Sequence, residues 1–498
     1  MKRTHHQLTF AVLAVGAGVF ALLQSIIAPA LPVIQSSLGT SQSTVTWVMT
    51  AYLLSASVFT PILGRVGDIL GKKRTLVAAT SALAVGSVLA ALAPNIGVLI
   101  LARVIQGAGG AVFPLSFGII RDEFPPARMA AAVGTFSAVL AVGGGLGIVL
   151  AGPVVETLDY HWLFWLPAIV VTLSTLAAYL VVPESPIRSP GRVNFTAAAV
   201  LSAALVALLL PISQASSWGW GSARVVGLLV LAALLFVLWV VVESRSASPL
   251  IDMRIMRQPV VWRTNLTALL FGAGLLSMFV FVPQFAQTPP STGYGLGASV
   301  TETGLLMLPM TVTMFVGGLL SGRIEHRFSA RAQLAAGSAF GALSGLALTT
   351  WHDGRWQLAV AAALFGLGAG LAYSAMTNLT VRSVPAHQTG AASGMNANIR
   401  TVGGSIGAAV MSSIVAGHLG EGGLPRESGF TSGFAMLTAM CLAAVVVALF
   451  VPAAGRTRPA AGTSAETGAE TGAETGAETG AETGGSPVGQ SRPAGARV

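Results

Sequence analysis

The sequence predicts an all-α polytopic membrane protein that crosses the bilayer fourteen times. Three observations carry this. Hydrophobic residues fill 53% of the 498 positions and charged ones only 9%, too few to clothe a soluble surface. Apolar runs of about 20 residues recur along the whole chain, each long enough for a hydrocarbon core about 30 Å thick. The charges gather in short breaks between those runs, as they do where loops leave a membrane.

Taken in order, the apolar spans fall at about 9–33, 45–64, 75–93, 97–120, 130–154, 162–182, 194–213, 224–243, 264–287, 301–321, 331–350, 356–380, 395–416 and 430–452. Helices are required because each satisfies its own backbone in lipid; a closed barrel would show short alternating strands instead. The opening "MKRTHHQLTFAVLAVGAGVFALL" has a basic start and an apolar core, yet the apolar run continues, so it reads as a retained first helix. An even number of spans puts both termini on one side. Lysine and arginine crowd the loops on that side, whereas the opposite loops carry Arg224, Arg355 and Arg426, so both termini are expected in the cytoplasm of a cell-membrane protein.

The pI near 10.5 therefore reports topology, and nucleic acid is not an expected partner. Cys441 is the single cysteine, so no disulfide can form within the chain. Past residue 453 the units "AETGAETGAETG" contain no large apolar side chain and read as a disordered, solvated tail.

The two ends of the chain echo each other. "GRVGDILGKKR" from Gly64 matches "GRIEHRFSAR" from Gly322; "FPPAR" matches "VPAHQ"; "AVGGGLG" at 141–147 matches "RTVGGSIG" at 400–407. Several landmarks in one register imply a six-helix unit (1–190), a two-helix insert (191–245) and a related six-helix unit (246–453), ahead of the tail (454–498). With these motifs the chain resembles the major facilitator superfamily, in particular its fourteen-helix drug–proton antiporter branch, over about residues 8–453. The resemblance implies the major facilitator fold: two pseudo-symmetric six-helix bundles around a cavity opened alternately to each side, with two extra helices outside.

Within "GRVGDILGKKR", Gly64, Gly67 and Gly71 permit a tight turn and close helix approach. Asp68 can accept hydrogen bonds from a free helix N-terminus, where negative charge is favoured, and so latch one face of the protein. Lys72, Lys73 and Arg74 read as mostly topological. The second copy places Glu325 and His326 where the first has Gly67 and Asp68.

In helix 4, "LARVIQGAGGAVFPLSF", an interior arginine needs a partner; helical spacing puts Gln106, Gly107 and Gly110 on the face of Arg103, and Pro114 can kink the helix. The resemblance implies proton transfer at Arg103 and Gln106; an arginine clamping backbone carbonyls is the structural alternative. In helix 5, Gly143, Gly147 and Ala151 recur every fourth residue, a smooth face for helix crossing, followed by Gly152. Ile148 stands where the antiporter branch has proline.

Helix 1 reads "LLQSIIAPALP", with Leu23 and Gln24 where many relatives carry an aspartate. No carboxylate falls mid-membrane; Glu302 and Glu156, near the outer surface, are the candidate titrating groups for proton coupling. Gln24 is a candidate substrate contact.

The function expected is proton-coupled efflux of amphipathic or hydrophobic organic compounds by a monomeric carrier, with small molecules, protons and the lipid bilayer as partners. A carrier for another metabolite class without antiport is the alternative. An embedded enzyme or a receptor is more remote: the seven histidines show no metal-ligand spacing, no nucleophile–base constellation appears, and no Walker-type loop supports an ATP-driven pump. No cofactor or metal is expected.

Overall fold

Fourteen helices long and apolar enough to cross a membrane follow one another in the computed structural model, which describes residues 2–189, 192–246, 248–420 and 424–452. The repetitive tail lies outside the described residues. Helix α1 joins Lys2–Ser25 to Leu31–Ser37 through a 3₁₀ turn at Ala28–Ala30; α2 spans Gln42–Leu70, and α3 Lys72–Ala91. Helix α4 joins Ile96–Gln106 to Val112–Glu123 through a 3₁₀ segment, Gly107–Ala111. Then come α5 (Pro126–Thr157), α6 (Trp162–Val181), α7 (Phe195–Trp218) and α8 (Ala223–Arg245). The last six are α9 (Pro259–Gln287), α10 (Val300–Arg327), α11 (Ala330–Thr350), α12 (Arg355–Ser383), α13 (Thr389–Ala416) and α14 (Glu427–Leu449).

Local chemistry sets the ends. Ser41, Asn194, Ser222 and Ser329 cap α2, α7, α8 and α11, each side chain accepting from a backbone N–H three residues on, which satisfies a donor the helix leaves free. Ser299 and Glu302 close a reciprocal capping box on α10. The 3₁₀ break in α4 precedes Pro114, whose missing N–H cannot bond the Gly110 carbonyl.

Two helices run past the limits that hydropathy suggests. Helix α2 continues through Asp68 to Leu70, and α13 starts at Thr389 rather than near 395. In both places the polar residues face protein, where hydropathy assumes lipid. "GRVGDILGKKR" is accordingly a helix end and a helix start rather than a loop. Gly71 alone makes the turn, at φ +119°, a left-handed backbone that other residues adopt with strain.

Packing repeats along the chain. Among the first six helices α1 packs on α5 and α6, α2 on α4, and α3 on α4 and α6; among the last six the same pairs recur as α9 on α13 and α14, α10 on α12, and α11 on α12 and α14. The two sets meet where α2 and α4 touch α13, and where α10 and α12 touch α5. Helix α7 lies on both α2 and α13, and α8 packs on α7. Buried Phe271, Phe285, Phe365, Phe430 and Phe434 centre the core of the last six helices; Leu115, Phe117, Val133 and Phe136 anchor one core of the first six.

Candidate functional site

Asp68 is fully buried at the end of α2 and reaches across to the last six helices. Its Oδ1 accepts the backbone N–H of Gly390 at 3.2 Å and its Oδ2 that of Ala391 at 2.9 Å. Both donors belong to the first turn of α13, which has no intrahelical acceptors for them and favours a negative charge. Hydrogen bonds to a charged group contribute about 1.5–3 kcal/mol each, so this contact is a substantial clasp. Two glycines let the backbones close around it: a Cβ on Gly64 would stand 2.7 Å from the Gly390 carbonyl oxygen, and one on Gly390 2.8 Å from Asp68 Oδ1. Gly67 presses against the Leu115 side chain, and a Cβ on Gly71 would meet the Glu184 carboxylate at 2.6 Å.

The clasp has supports that the sequence does not suggest. Arg65 Nη1 donates to Ser189 Oγ at 2.8 Å; Ser189 Oγ donates to the His387 carbonyl at 2.6 Å, and Ser189 N to the Asp68 carbonyl at 2.6 Å. Arg121 Nη1 donates to Thr389 Oγ1 at 2.7 Å. These tie the segment after α6 and the end of α4 to the start of α13. Only the charge of Arg65 and Arg121 stands out in the sequence, because their partners lie more than a hundred residues away.

Lys72 makes a contact that the basic run alone does not suggest. It is fully buried and pairs with Asp122 at 2.5 Å, and Ser185 donates to the same carboxylate. Lys73 differs: its backbone N–H donates to Glu184 Oε1 at 3.2 Å while its ammonium lies 5.7 Å from the Tyr179 ring centroid. Arg74, largely exposed, stands 3.7 Å from Glu184.

Deeper in the span, Arg103 is fully buried. Its Nη1 donates to Gln106 Oε1 at 2.7 Å, its Nε to the Val48 carbonyl at 3.1 Å, and its guanidinium stacks 3.9 Å from the Tyr52 ring centroid. Gln106 Nε2 passes the chain on to Ser87 Oγ at 2.9 Å. The shared face expected for Arg103 and Gln106 is therefore present. Both the glutamine contact and the carbonyl clamp coexist. Gly107 fits against Ser55, and Gly110 against Thr60 and Ala56, which brings α4 onto α2.

Helix α5 carries two smooth faces where one was expected. Gly143 meets Gly18 and Ala21, and Gly147 meets Leu22, Ser25 and Ile26, all on α1; Ala151 is buried in the same direction. Gly134, Gly145 and Gly152 instead meet Gly318, Thr311 and Thr301 of α10. At the far end Thr301 Oγ1 donates to Glu156 Oε1 at 3.2 Å. Glu302, half-buried, accepts the Ser299 N–H at 2.9 Å and pairs with Arg355 at 3.0 Å. Gln24 is half-buried in α1. No group of three or more metal-ligating side chains occurs among the described residues.

Two helix sets that meet along two flanks, clasped at one end by a buried carboxylate, define a multi-pass membrane carrier. The sequence profile described as Major Facilitator Superfamily matches residues 13–408 and 289–476, and the chain belongs to that family. It is 28% identical over 417 residues to the tetracenomycin C resistance and export protein of Streptomyces glaucescens, covering 83% of this chain and 76% of that one. It is 31% identical over 398 residues to the puromycin resistance protein of Streptomyces alboniger, covering 78% and 77%. Among solved structures, the human organic anion transporter MFSD10 superposes with a TM-score of 0.64 at 15% identity, over 89% of this chain and 99% of that one; at that identity the likeness speaks for the fold.

Proposed function

We propose that the chain exports amphipathic or hydrophobic organic compounds, antibiotics among them, across the cell membrane in exchange for entering protons. The Asp68 clasp is the observation that carries the reading: a buried carboxylate joining the two helix sets at one face is what a carrier needs if that face closes in one state and parts in the other. The relatives' names, tetracenomycin C export and puromycin resistance, supply the substrate class.

In this reading residues 1–190 and 246–453 are two bundles that rock about the passage, and 191–245 is an insert riding on their seam. The clasped face is cytoplasmic, as the basic loops require, so the conformation is closed to the cytoplasm. Gly64, Gly67, Asp68, Gly71, Lys72 and Lys73 form the gate; Arg103, Gln106 and Gln24 serve the pathway; Glu156 and Glu302 act at its outer mouth. A monomer suffices, because the passage lies within one chain.

Inverted membrane vesicles test this. A fluorescent amphipathic dye should accumulate on acidification of the lumen and lose its gradient on addition of an uncoupler. Accumulation indifferent to the uncoupler would leave the second reading, a carrier without antiport, which the pairing of Leu23 and Gln24 in α1 favours.

A further inference from the structure

At the inner end of the passage, α4 faces α12 and α13 across a narrow cleft whose two walls differ in kind. One wall is aromatic, made by Phe113 and Phe117 of α4. The other is polar: Thr380, Ser393, Asn396 and Arg400. Asn396 is committed elsewhere, its Nδ2 donating to Asn265 Oδ1 at 2.8 Å. Thr380 and Ser393, 1% and 7% exposed, have hydroxyl oxygens with no hydrogen-bond partner among the described residues. The Arg400 guanidinium lies 4.3 Å from the Tyr373 ring centroid; the ion pairs seen among the described residues involve other cations.

An unneutralised guanidinium inside a membrane span is costly unless something compensates it. Its fixed fork of donors matches a carboxylate in two parallel bonds, and two unsatisfied hydroxyls beside it can donate to the same oxygens. The facing phenyl rings suit a flat aromatic body. A cationic ligand would meet repulsion from Arg400 with no acid to offset it.

We propose that this cleft is an anion subsite of the transport pathway, selecting planar aromatic compounds that carry one acidic oxygen, with the acid on Arg400 and the ring against Phe113 and Phe117. The inference rests on the exporter reading and narrows its substrate class. In the conformation described the cleft has about 10 Å³ of free space, so a ligand enters only when its two walls part.

Full-length protein in lipid nanodiscs tests the proposal by equilibrium binding of 2-naphthoate against its neutral counterpart, 2-naphthamide. The acid should bind about tenfold more tightly, the scale of a charge-assisted hydrogen bond. Arg400→Gln should bring the two within about twofold, with an unchanged thermal unfolding midpoint reporting that the variant is folded. Should that variant misfold, Ser393→Cys in the otherwise native chain decides, since 2-naphthoate and not the amide should slow its alkylation. Equal binding of acid and amide to the native protein, a preference that survives Arg400→Gln, or alkylation unaffected by the acid would each overturn the proposal. Proton-driven dye flux persisting beside such a failure would leave the exporter reading standing; a clear acid preference without flux would sink that reading and keep the cleft as a binding site.

Discussion

The two flanks along which the helix sets meet are built from corresponding helices yet closed by different physics. On the α2–α13 flank a buried carboxylate takes two backbone N–H groups across the divide. On the α10–α5 flank the corresponding acid, Glu325, accepts from Asn378 at 2.9 Å and pairs with Arg382 at 2.8 Å, both on α12 of its own set. That second flank is closed by backbone approach: a Cβ on Gly134 would stand 2.8 Å from the Gly318 carbonyl, and one on Gly322 2.7 Å from Ala131 Cα. The acid stands one residue earlier in the second copy, at the position equivalent to 67, and there it meets Asn378 and Arg382 of α12. Under the exporter reading the first flank serves as the switch and the second as the hinge.

Four changes would break or sharpen that contrast. Joining Arg121→Cys to Thr389→Cys with a short bismaleimide, in a Cys441→Ser background, should abolish flux; undiminished flux would remove the idea that this face must part. Gly318→Leu forces a side chain onto Ala138, and overpacking of this kind costs about 1–3 kcal/mol. Export should fall by more than about tenfold with normal protein levels, measured as dye efflux against immunoblot. Asp68→Asn keeps the shape and removes the charge, and should slow efflux by about tenfold, the scale of one charge-assisted bond. Glu325→Gln should change the rate by less than about twofold, since the partners named for this acid, Asn378 and Arg382, both lie on α12 of its own set and the amide can keep a hydrogen bond to Asn378. An equal loss in the last two variants would erase the asymmetry.

What the sequence reveals of this arrangement follows from what lipid enforces. Fourteen spans can be read because each must supply about 20 apolar residues, and Arg103 because a cation among them is conspicuous. Gln106 follows from helical spacing alone, three positions on. Asp68 also stands out, a lone acid among glycines and bases. Its acceptor role is readable but its partner is not: Gly390 and Ala391 sit in "TGAASGMNANIR", polar enough that hydropathy ends the span short of them. The Lys72–Asp122 pair and the Ser189–His387 bridge join residues 50 and 198 positions apart, and no local period encodes such contacts. The second smooth face of α5 hides because Gly134, Gly145 and Gly152 follow no single heptad-like spacing.

One further property comes from the position of α7, lying along both α2 and α13 with α8 outside it. On the opposite flank α5 and α10 approach closely, Gly134 against the Gly318 carbonyl and Gly145 and Gly152 against the side chains of Thr311 and Thr301. Under the exporter reading, both seams are covered, and a lipid-partitioned dye should enter no faster than a water-soluble one of equal affinity.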